Sequence, residues 1–191
     1  MQPFAERSVE VNSTRVTVRE ATEADAEAMI AHRDIAWSEP HYFLWESDEF
    51  PEEPAGTRAW ISGLRSLRIG LCLVLVAHEP TGDRVVGISD FRGVDRRRMR
   101  HRVEFGIGIQ SAYRGLGLGT FVLEAMLSWA ASHPDIEVVS LGCFDENVRA
   151  IELYERLGFE HEGRRTDAFV RDGRYHDEVL MFRRVKPKRG G

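Results

Sequence analysis

Three glycines at alternate positions lie directly ahead of an amphipathic segment in AYRGLGLGTFVLEAML, residues 112–127. Glycine costs backbone entropy, so Gly115, Gly117 and Gly119 indicate a special backbone conformation or a close approach that a side chain would prevent. A helix that starts after such a loop offers free N–H groups and the positive end of its dipole to a phosphate. The stretch therefore predicts either a phosphate-binding loop or a plain turn from strand to helix.

Two common phosphate-binding patterns do not describe this loop. A nucleoside-triphosphate loop ends in Gly-Lys-Ser/Thr, and GLGLGT contains no lysine. The dinucleotide pattern is G-x-G-x-x-G, whereas this chain has G-x-G-x-G. A phosphate bound here would belong to a different kind of ligand.

A second helical segment, NVRAIELYERLGF at residues 147–159, places two polar side chains on one face. Asn147 and Tyr154 are seven residues apart in the sequence. That is nearly two helical turns, or about 10 Å along the axis. This span suits a ligand arm that carries polar groups at its middle and at its end. The alternatives are a helix N-cap for Asn147 and a core tyrosine for Tyr154.

The strand-like segment VEFGIGI, residues 103–109, carries a candidate general base. Alternation of side chains along a strand places Glu104 on the same face as Gly106 and Gly108. Two glycines on that face permit a bulge and the close approach of a ligand arm. A carboxylate there is a side chain that can act as a general base. The alternative is a salt bridge between Glu104 and the arginines of residues 96–102.

Hydrophobic periodicity predicts the elements that position these residues, in the order β-α-α-β-β-β-α-β-α-β-β. Helices are predicted after Thr22, from Pro54, at about 117–132, and from Asn147 to a C-cap at Gly158. Strands are predicted at 15–20, 71–79, 84–93, 102–110 and 136–144, and near 159–166 and 177–185. The chain is thus predicted to be a single α/β domain, a mixed sheet with helices on both faces.

Two of these motifs together resemble the GNAT superfamily of acetyl-CoA-dependent N-acetyltransferases. Arg114, Gly117 and Gly119 form R-x-x-G-x-G after a strand, which is similar to the family's pyrophosphate-binding segment. Residues 147–159 match its pattern N-x-x-A-I-x-L-Y-x-x-x-G-F at every specified position. The order of elements also matches. The resemblance implies a GNAT-like domain at residues 14–185, between an N-terminal tail (1–13) and a basic C-terminal tail (186–191).

The resemblance implies acetyl-CoA as the cofactor and assigns roles residue by residue. Tyr154 matches the general acid that protonates the departing sulfur. Gly142 stands where some members carry a glutamate base, so Glu104 is the remaining candidate for that role. Ile107, Gly108 and Ile109 are assigned to the pantetheine arm and the acetyl carbonyl. The other implied cofactor-binding residues are Arg114, Gly115, Leu116, Gly117, Leu118, Gly119 and Thr120 around the pyrophosphate, and Asn147 and Tyr154 along the arm.

The acceptor groove in this family is lined by the segment after the first helix, here WSEPHYFLWESDEF at residues 37–50. Its acidic and aromatic residues suit a cationic amine, which favours a polyamine, although a solvated loop has the same composition. The segment at 162–181 resembles both spermidine acetyltransferases and enzymes that modify protein N-termini. A protein N-terminal or lysine amine therefore stays open, as does a non-catalytic acyl-CoA-sensing module. The predicted substrate-binding residues are Trp37, Glu39, Tyr42, Trp45 and Glu46.

Composition predicts a cytoplasmic protein with no metal and no membrane segment. Cys72 and Cys143 lie in apolar runs, which indicates two buried thiols rather than a disulfide or a zinc site. The net charge of −5 argues against a nucleic-acid binder. One segment, RRRMRHR at residues 96–102, is strongly basic and is either a solvated hairpin tip or a contact for phosphate or an acidic partner. Association into a homodimer through sheet edges is compatible with the sequence.

Overall fold

Alternating apolar runs form an eight-stranded mixed sheet in the computed structural model, which describes residues 3–39, 42–44 and 46–188. The strands are β1 (Arg7–Val11), β2 (Thr14–Glu20), β3 (Gly70–Glu79), β4 (Gly82–Gly93), β5 (Arg102–Ile109), β6 (Val138–Phe144), β7 (Glu160–Arg171) and β8 (Arg174–Arg184). The helices are α1 (Ala26–Ser38), α2 (Pro54–Ser66), α3 (Leu118–Ser132) and α4 (Val148–Arg156).

The strands are arranged in the order β1-β2-β3-β4-β5-β6-β8-β7, and β5 and β6 form its parallel pair. This parallel ladder is short, with three residue pairs from Arg102↔Val138 to Glu104↔Ser140. Beyond Glu104 the two strands diverge, although β5 stays paired with β4 as far as Ile109. The edge of β5 that faces β6 is therefore free of strand partners over residues 105–109, in the middle of the sheet.

Helices cover both faces of the sheet, because the central strands are apolar on both sides. On β3, Leu71, Leu73 and Leu75 pack in the core under α3 and α4, whereas Cys72 and Val74 pack in a second core under α1 and α2. Such continuous apolar runs are typical of strands that are buried on both faces. The predicted fold class, a mixed α/β sheet with helices on both faces, is confirmed.

The first thirteen residues contain a strand that the sequence interpretation did not include. β1 pairs with β2 in an antiparallel hairpin, in the register Val9↔Val16 and Val11↔Thr14. Asn12 and Ser13 form its two-residue turn, with φ of 48° and 62°. Positive φ at both turn positions matches the right-handed twist of a hairpin. The predicted N-terminal tail is therefore corrected to an edge strand that packs Val11 into the core.

Candidate active site

The glycine loop joins the end of β5 to α3 and turns through two left-handed residues. Gly115 and Gly117 have φ of 72° and 83°, and a Cβ built on either would meet no atom within 4 Å. Gly117 is the N-cap of α3, and its carbonyl accepts the first helical bond from Phe121 N at 3.0 Å. The N–H groups of the first turn, at residues 118–120, have no partner within the helix. The loop thus presents open space and donors to an anion.

The third glycine of the loop has a different function. Gly119 lies in the first turn of α3, and a Cβ there would lie 3.0 Å from Leu153 Cδ2 of α4. Its missing side chain therefore permits close packing of the two helices that follow β5 and β6. This contact fixes the start of α3 against α4, which carries Asn147 and Tyr154 at its two ends.

At the start of the loop, the side chain of Arg114 is fixed by a hydrogen bond and an ion pair within the chain. Its Nε donates to the carbonyl of Ile109 at 2.7 Å, and its Nη2 lies 3.7 Å from Glu39 Oε2. Glu39 in turn accepts hydrogen bonds from the backbone N and the hydroxyl of Ser111, both at 2.7 Å. The carboxylate of Glu39 thus braces the glycine loop, and its predicted contact with a substrate stays a prediction.

A cavity of about 650 Å³ lies where β5 and β6 diverge. Gly106, Ile107 and Gly108 line it from β5, and Gly142 and Cys143 line it from β6. The cavity also reaches Asn147 and Tyr154, so the two predicted ends of the ligand arm are brought together in one wall. The backbone carbonyl of Asn147 starts α4, but its side chain makes no capping hydrogen bond. The N-cap alternative therefore describes its backbone only.

Tyr154 is the most deeply buried polar group among these predicted site residues, at 7 % exposed. Its ring packs against Phe105 and Phe159, each with centroids 5.8 Å away. Among the described residues, none accepts a hydrogen bond from its hydroxyl. Burial, with a smaller contribution from Cys143, raises the pKa of Tyr154 well above its usual range. The hydroxyl is therefore protonated at neutral pH and available to donate into the cavity.

Three charged side chains meet at the α1 side of the cavity, on adjacent strands. Arg92 on β4 lies opposite Glu104 on β5, and both line the cavity. Arg92 Nε donates to Asp90 Oδ2 at 2.5 Å, and Nη2 donates to Oδ1 at 3.3 Å. Burial raises the pKa of Asp90, Arg92 opposes that shift, and Glu104 adds to it. Glu104 lies opposite Arg92 in the strand register and also interacts electrostatically with Arg102, one of the arginines of residues 96–102.

Gly106 leaves the space that the Asp90–Arg92 pair occupies. Asp90 is a cavity residue that the sequence did not single out. A Cβ on Gly106 would lie 3.1 Å from Asp90 Oδ1 and 3.4 Å from Arg92 Nη2. The space above Gly106 is therefore filled by the buried pair from β4 rather than by its own side chain. Asp90 is only 6 % exposed but lines the cavity. The only sequence signal was its place in a strand, opposite a glycine.

The segment after α1 supplies an aromatic wall. Trp37 and Phe43 stack with ring centroids 4.3 Å apart, and Tyr42 packs 5.8 Å from Phe144. Gly108 leaves room for Phe43, because a Cβ there would lie 2.7 Å from its Cε1. Trp37 and Tyr42 line the cavity, as predicted for acceptor residues, and Trp45 lies outside the described residues.

Most acidic residues of the segment after α1 do not line the cavity. Glu46 begins a single helical turn, Ser47–Glu49, in which its backbone N donates to Glu49 Oε2 at 2.8 Å. Glu46 and Asp48 do not line the cavity, whereas Glu49 does. The contact of Glu46 with an acceptor stays a prediction, and Glu49 is the acidic residue of this turn that lines the cavity.

His32 of α1 also lines the cavity, although the sequence gave no reason to select it. Gln110 Nε2 donates to His32 Nδ1 at 3.2 Å, and the histidine is 2 % exposed. Burial lowers the pKa of His32 to about 4, and Glu39 partly opposes this while Arg114 adds to it. The imidazole is therefore neutral at physiological pH and acts as a packed hydrogen-bond acceptor.

Two other kinds of site are absent from the described residues. No group of three or more His, Cys, Asp or Glu there is arranged to hold a metal ion. No helix in the same residues is long and apolar enough to cross a membrane.

An open glycine loop, a splayed sheet and a buried tyrosine in one cavity define a site for a phosphate-bearing ligand with an extended arm. Comparisons with known proteins agree with this. Residues 15–160 match the acetyltransferase (GNAT) domain. The chain belongs to this family, and it is an acetyl-CoA-dependent N-acetyltransferase.

Relatives and a solved structure are consistent with this assignment. The chain is 27 % identical over 177 residues to the ribosomal protein uS5-alanine N-acetyltransferase of Escherichia coli, covering 90 % of this chain and 89 % of that one. It is 30 % identical over 88 residues to Escherichia coli spermidine N(1)-acetyltransferase, covering 46 % and 47 %. The acetyltransferase yncA of Salmonella typhimurium, solved with its cofactor acetyl-CoA, superposes with a TM-score of 0.72 at 21 % identity, covering 92 % and 97 %.

The shifted pKa of His32 predicts a pH-dependent component of stability. Because its pKa falls from about 6.5 in the unfolded chain to about 4 when folded, the unfolded state binds the extra proton between these values. The contribution of His32 to the free energy of unfolding is constant above pH 6.5. It decreases as the pH falls toward 4, by about 3 kcal/mol in total. Denaturant unfolding of the wild type and of His32→Asn, measured from pH 7 to pH 4, should show a smaller decrease in the variant. Parallel pH curves would contradict this assignment.

Proposed function

We propose that this N-acetyltransferase transfers the acetyl group of acetyl-CoA directly to the α-amine of a peptide or protein N-terminus. The observation that carries the proposal is a charged group in the cavity, where Arg92 is bonded to a buried carboxylate, Asp90, and lies opposite an exposed one, Glu104. Such a site suits an amine that carries an adjacent hydrogen-bond acceptor.

The residues present fit the cofactor. The left-handed Gly115 and Gly117 leave open space in front of the N–H groups of residues 118–120, which would hold the pyrophosphate. Arg114 would add positive charge there. The edge of β5 at residues 107–109 has no strand partner, so apart from the Ile109 carbonyl, which accepts a hydrogen bond from Arg114, it offers backbone groups to the pantetheine arm and the acetyl carbonyl. Bound there, acetyl-CoA supplies an activated acyl group as a thioester.

Two residues of the chain would move the protons. Glu104 lines the cavity and is exposed, so it can take a proton from the acceptor ammonium directly or through water. Tyr154 is protonated and faces the same cavity, so it can donate its proton to the departing sulfur. Cys143 also lines the cavity, but burial raises the pKa of its thiol to about 11. Such a thiol is a poor nucleophile, which favours direct attack by the amine over an acyl-enzyme.

The charges in the cavity favour an α-amine over a polyamine. The cavity is lined by three carboxylates, Glu49, Asp90 and Glu104, and by two guanidiniums, Arg33 and Arg92, so its charge is nearly balanced rather than strongly acidic. An α-amine has a pKa of about 8 and an alkylamine about 10, so a carboxylate deprotonates the α-amine more readily. The peptide carbonyl next to the α-amine can accept a hydrogen bond from Arg92. One relative that matches along most of the chain is named a ribosomal protein uS5-alanine N-acetyltransferase.

Replacing Gly117 tests the phosphate loop. Gly117→Asp should abolish the rise in melting temperature that CoA gives, because a carboxylate and a Cβ would face the pyrophosphate. For the wild type at a CoA concentration of about 100 Kd, we expect stabilisation of about 2.7 kcal/mol. Gly173→Asp is the matched control, because Gly173 has φ of 72° and open surroundings in the β7–β8 turn. An equal CoA response in the Gly117 and Gly173 variants would overturn the assignment of the loop.

Replacing Tyr154 tests the general acid. Tyr154→Phe keeps the ring packing and removes the proton, so turnover should fall about 10²- to 10³-fold with little change in acetyl-CoA affinity. The defect should shrink with an acyl donor whose thiol is much more acidic, because that leaving group needs less protonation. Tyr113→Phe is the control: the Tyr113 hydroxyl donates to Glu79, so this variant should lose stability but keep its rate per folded molecule. A Tyr154 variant that behaves like the control would contradict the role.

Replacing Arg92 tests the acceptor class. In the wild type, kcat/KM should be at least about tenfold higher for a peptide with a free α-amine than for spermidine, and Arg92→Gln should raise the KM of the peptide about tenfold. The KM of spermidine should stay level or fall, because the variant lacks the positive charge of Arg92, which repels a polycation.

A second variant separates recognition from unfolding. Arg92→Gln leaves Asp90 buried without its cation, so the double variant Asp90→Asn/Arg92→Gln keeps the pair neutral and should show the same loss for the peptide. Spermidine as the better substrate of the wild type would replace the α-amine proposal by a polyamine function.

A further inference from the structure

A second, basic cleft lies at the opposite end of the sheet from the acetyl-transfer cavity. It has a volume of about 530 Å³ and is built from four separate parts of the chain: the residues before β3, the β4–β5 connection, the start of β6 and the end of β8. Its cationic side chains are Arg68, Arg97, Arg100, Arg184 and Lys188. We refer to these five residues as the basic cleft.

The positive charge of the basic cleft is not neutralised by its surroundings. Two carboxylates, Asp135 and Glu137, also line it, so five cations face two anions in a chain whose net charge is −5. Arg68 pairs with Asp135 at 2.8 Å, and Arg100 pairs with Asp95 at 3.2 Å.

Several donors in the basic cleft are left available to a ligand. Arg97, Arg184 and Lys188 form no ion pair within the part of the chain that the structure describes. Arg100 Nε is shielded from solvent and has no hydrogen-bond partner there. Arg96 and Arg98, both exposed, extend the positive surface beyond the cleft.

β5 connects the basic cleft to the acceptor end of the cavity. The strand starts at Arg102, next to the cleft residue Arg100, and reaches Gly108 in the cavity. Six residues of strand span about 20 Å. An extended peptide whose N-terminus lay beside Gly108 could therefore place its seventh and later residues near the basic cleft.

We propose that the basic cleft is an exosite for an acidic segment of the acceptor protein, which lies about seven or more residues after the acetylated N-terminus. This inference rests on the proposed function, an α-amine at the start of a polypeptide. Arginine forks bind carboxylates in a bidentate manner, and charges of opposite sign speed encounter and fix the register of the bound chain. The exosite adds affinity and selectivity without a new contact at the reacting amine.

The lining of the cleft favours a peptide over a nucleic acid. The described lining contains no Phe, Tyr or Trp on which a base could stack, although such platforms are usual for single-stranded nucleic acids. Two carboxylates within the cleft would also repel a continuous phosphate backbone. An acidic peptide can instead place its own neutral residues beside Asp135 and Glu137.

Peptide pairs test the exosite with the intact chain. Two 15-residue peptides would share their first seven residues and carry either glutamates or glutamines at positions 8–13. We expect kcat/KM to be about tenfold higher for the glutamate peptide at low salt. The ratio should approach one as salt rises, because the Debye length shortens to about 10 Å at 0.1 M.

Charge-reversal variants locate the effect. Arg97→Glu/Arg184→Glu should remove the advantage of the glutamate peptide and leave the kinetics of a dipeptide amide unchanged. Arg15→Glu/Arg65→Glu makes the same change in net charge at exposed positions outside the cleft and should keep the advantage. Equal loss in both double variants would overturn the exosite in favour of a general charge effect.

A binding measurement keeps the inference separate from catalysis. Fluorescence anisotropy of the glutamate peptide, blocked at its N-terminus so that it is not a substrate, should show binding without acetyl-CoA that the cleft variant loses. Equal acetylation of both peptides, with no binding, overturns the exosite and leaves the α-amine proposal standing. Absence of peptide acetylation alongside cleft-dependent binding overturns the α-amine proposal instead. Tighter binding of an RNA oligonucleotide than of the peptide would overturn the acidic-peptide occupant.

Discussion

The separation of two parallel strands is the constraint on which the rest of the structure depends. β5 and β6 share a ladder of three residue pairs and then diverge, which leaves unpaired backbone inside a sheet. Buried backbone groups need partners, so this gap is stable only where a ligand or water supplies them. α3 and α4 follow directly after the two diverging strands, and the contact of Gly119 with Leu153 fixes their starts against each other. The short β5–β6 ladder thus determines where the cavity opens and where the glycine loop and Tyr154 lie beside it.

Missing side chains shape the cavity as much as present ones do. At Gly106 the space is taken by the Asp90–Arg92 pair, at Gly108 by Phe43, and at Gly142 by Glu178, whose Oε1 would lie 1.9 Å from a Cβ there. Glu178 is buried and accepts a hydrogen bond from Arg165 at 2.6 Å. A glutamate at position 142 could therefore not be accommodated without moving Glu178. The chain fills the same space from β8, one strand away.

Local patterns predicted the elements, and long-range contacts decided the acceptor site. Strand alternation placed Glu104 beside Gly106 and Gly108, and the helical spacing of Asn147 and Tyr154 brought both to one cavity. Asp90 was not identifiable, because its role depends on the β4–β5 register. The contact of Glu39 with Ser111 could not be predicted from composition, since Ser111 is 72 residues away in the sequence. The β1–β2 hairpin had a local signal, alternation around Asn12 and Ser13, that the interpretation overlooked.

The burial of Tyr154 has two effects on its proposed role that act in opposite directions. Burial raises the pKa of the hydroxyl, which makes it a weaker acid. The same surroundings disfavour any thiolate: Cys143, in the same cavity wall, has a pKa of about 11. The pKa of a CoA thiol departing there would be raised in the same way. In water that pKa is about 8.5, by analogy with cysteine. The two pKa values shift in the same direction, so burial need not make proton transfer from tyrosine to sulfur less favourable than it is in water.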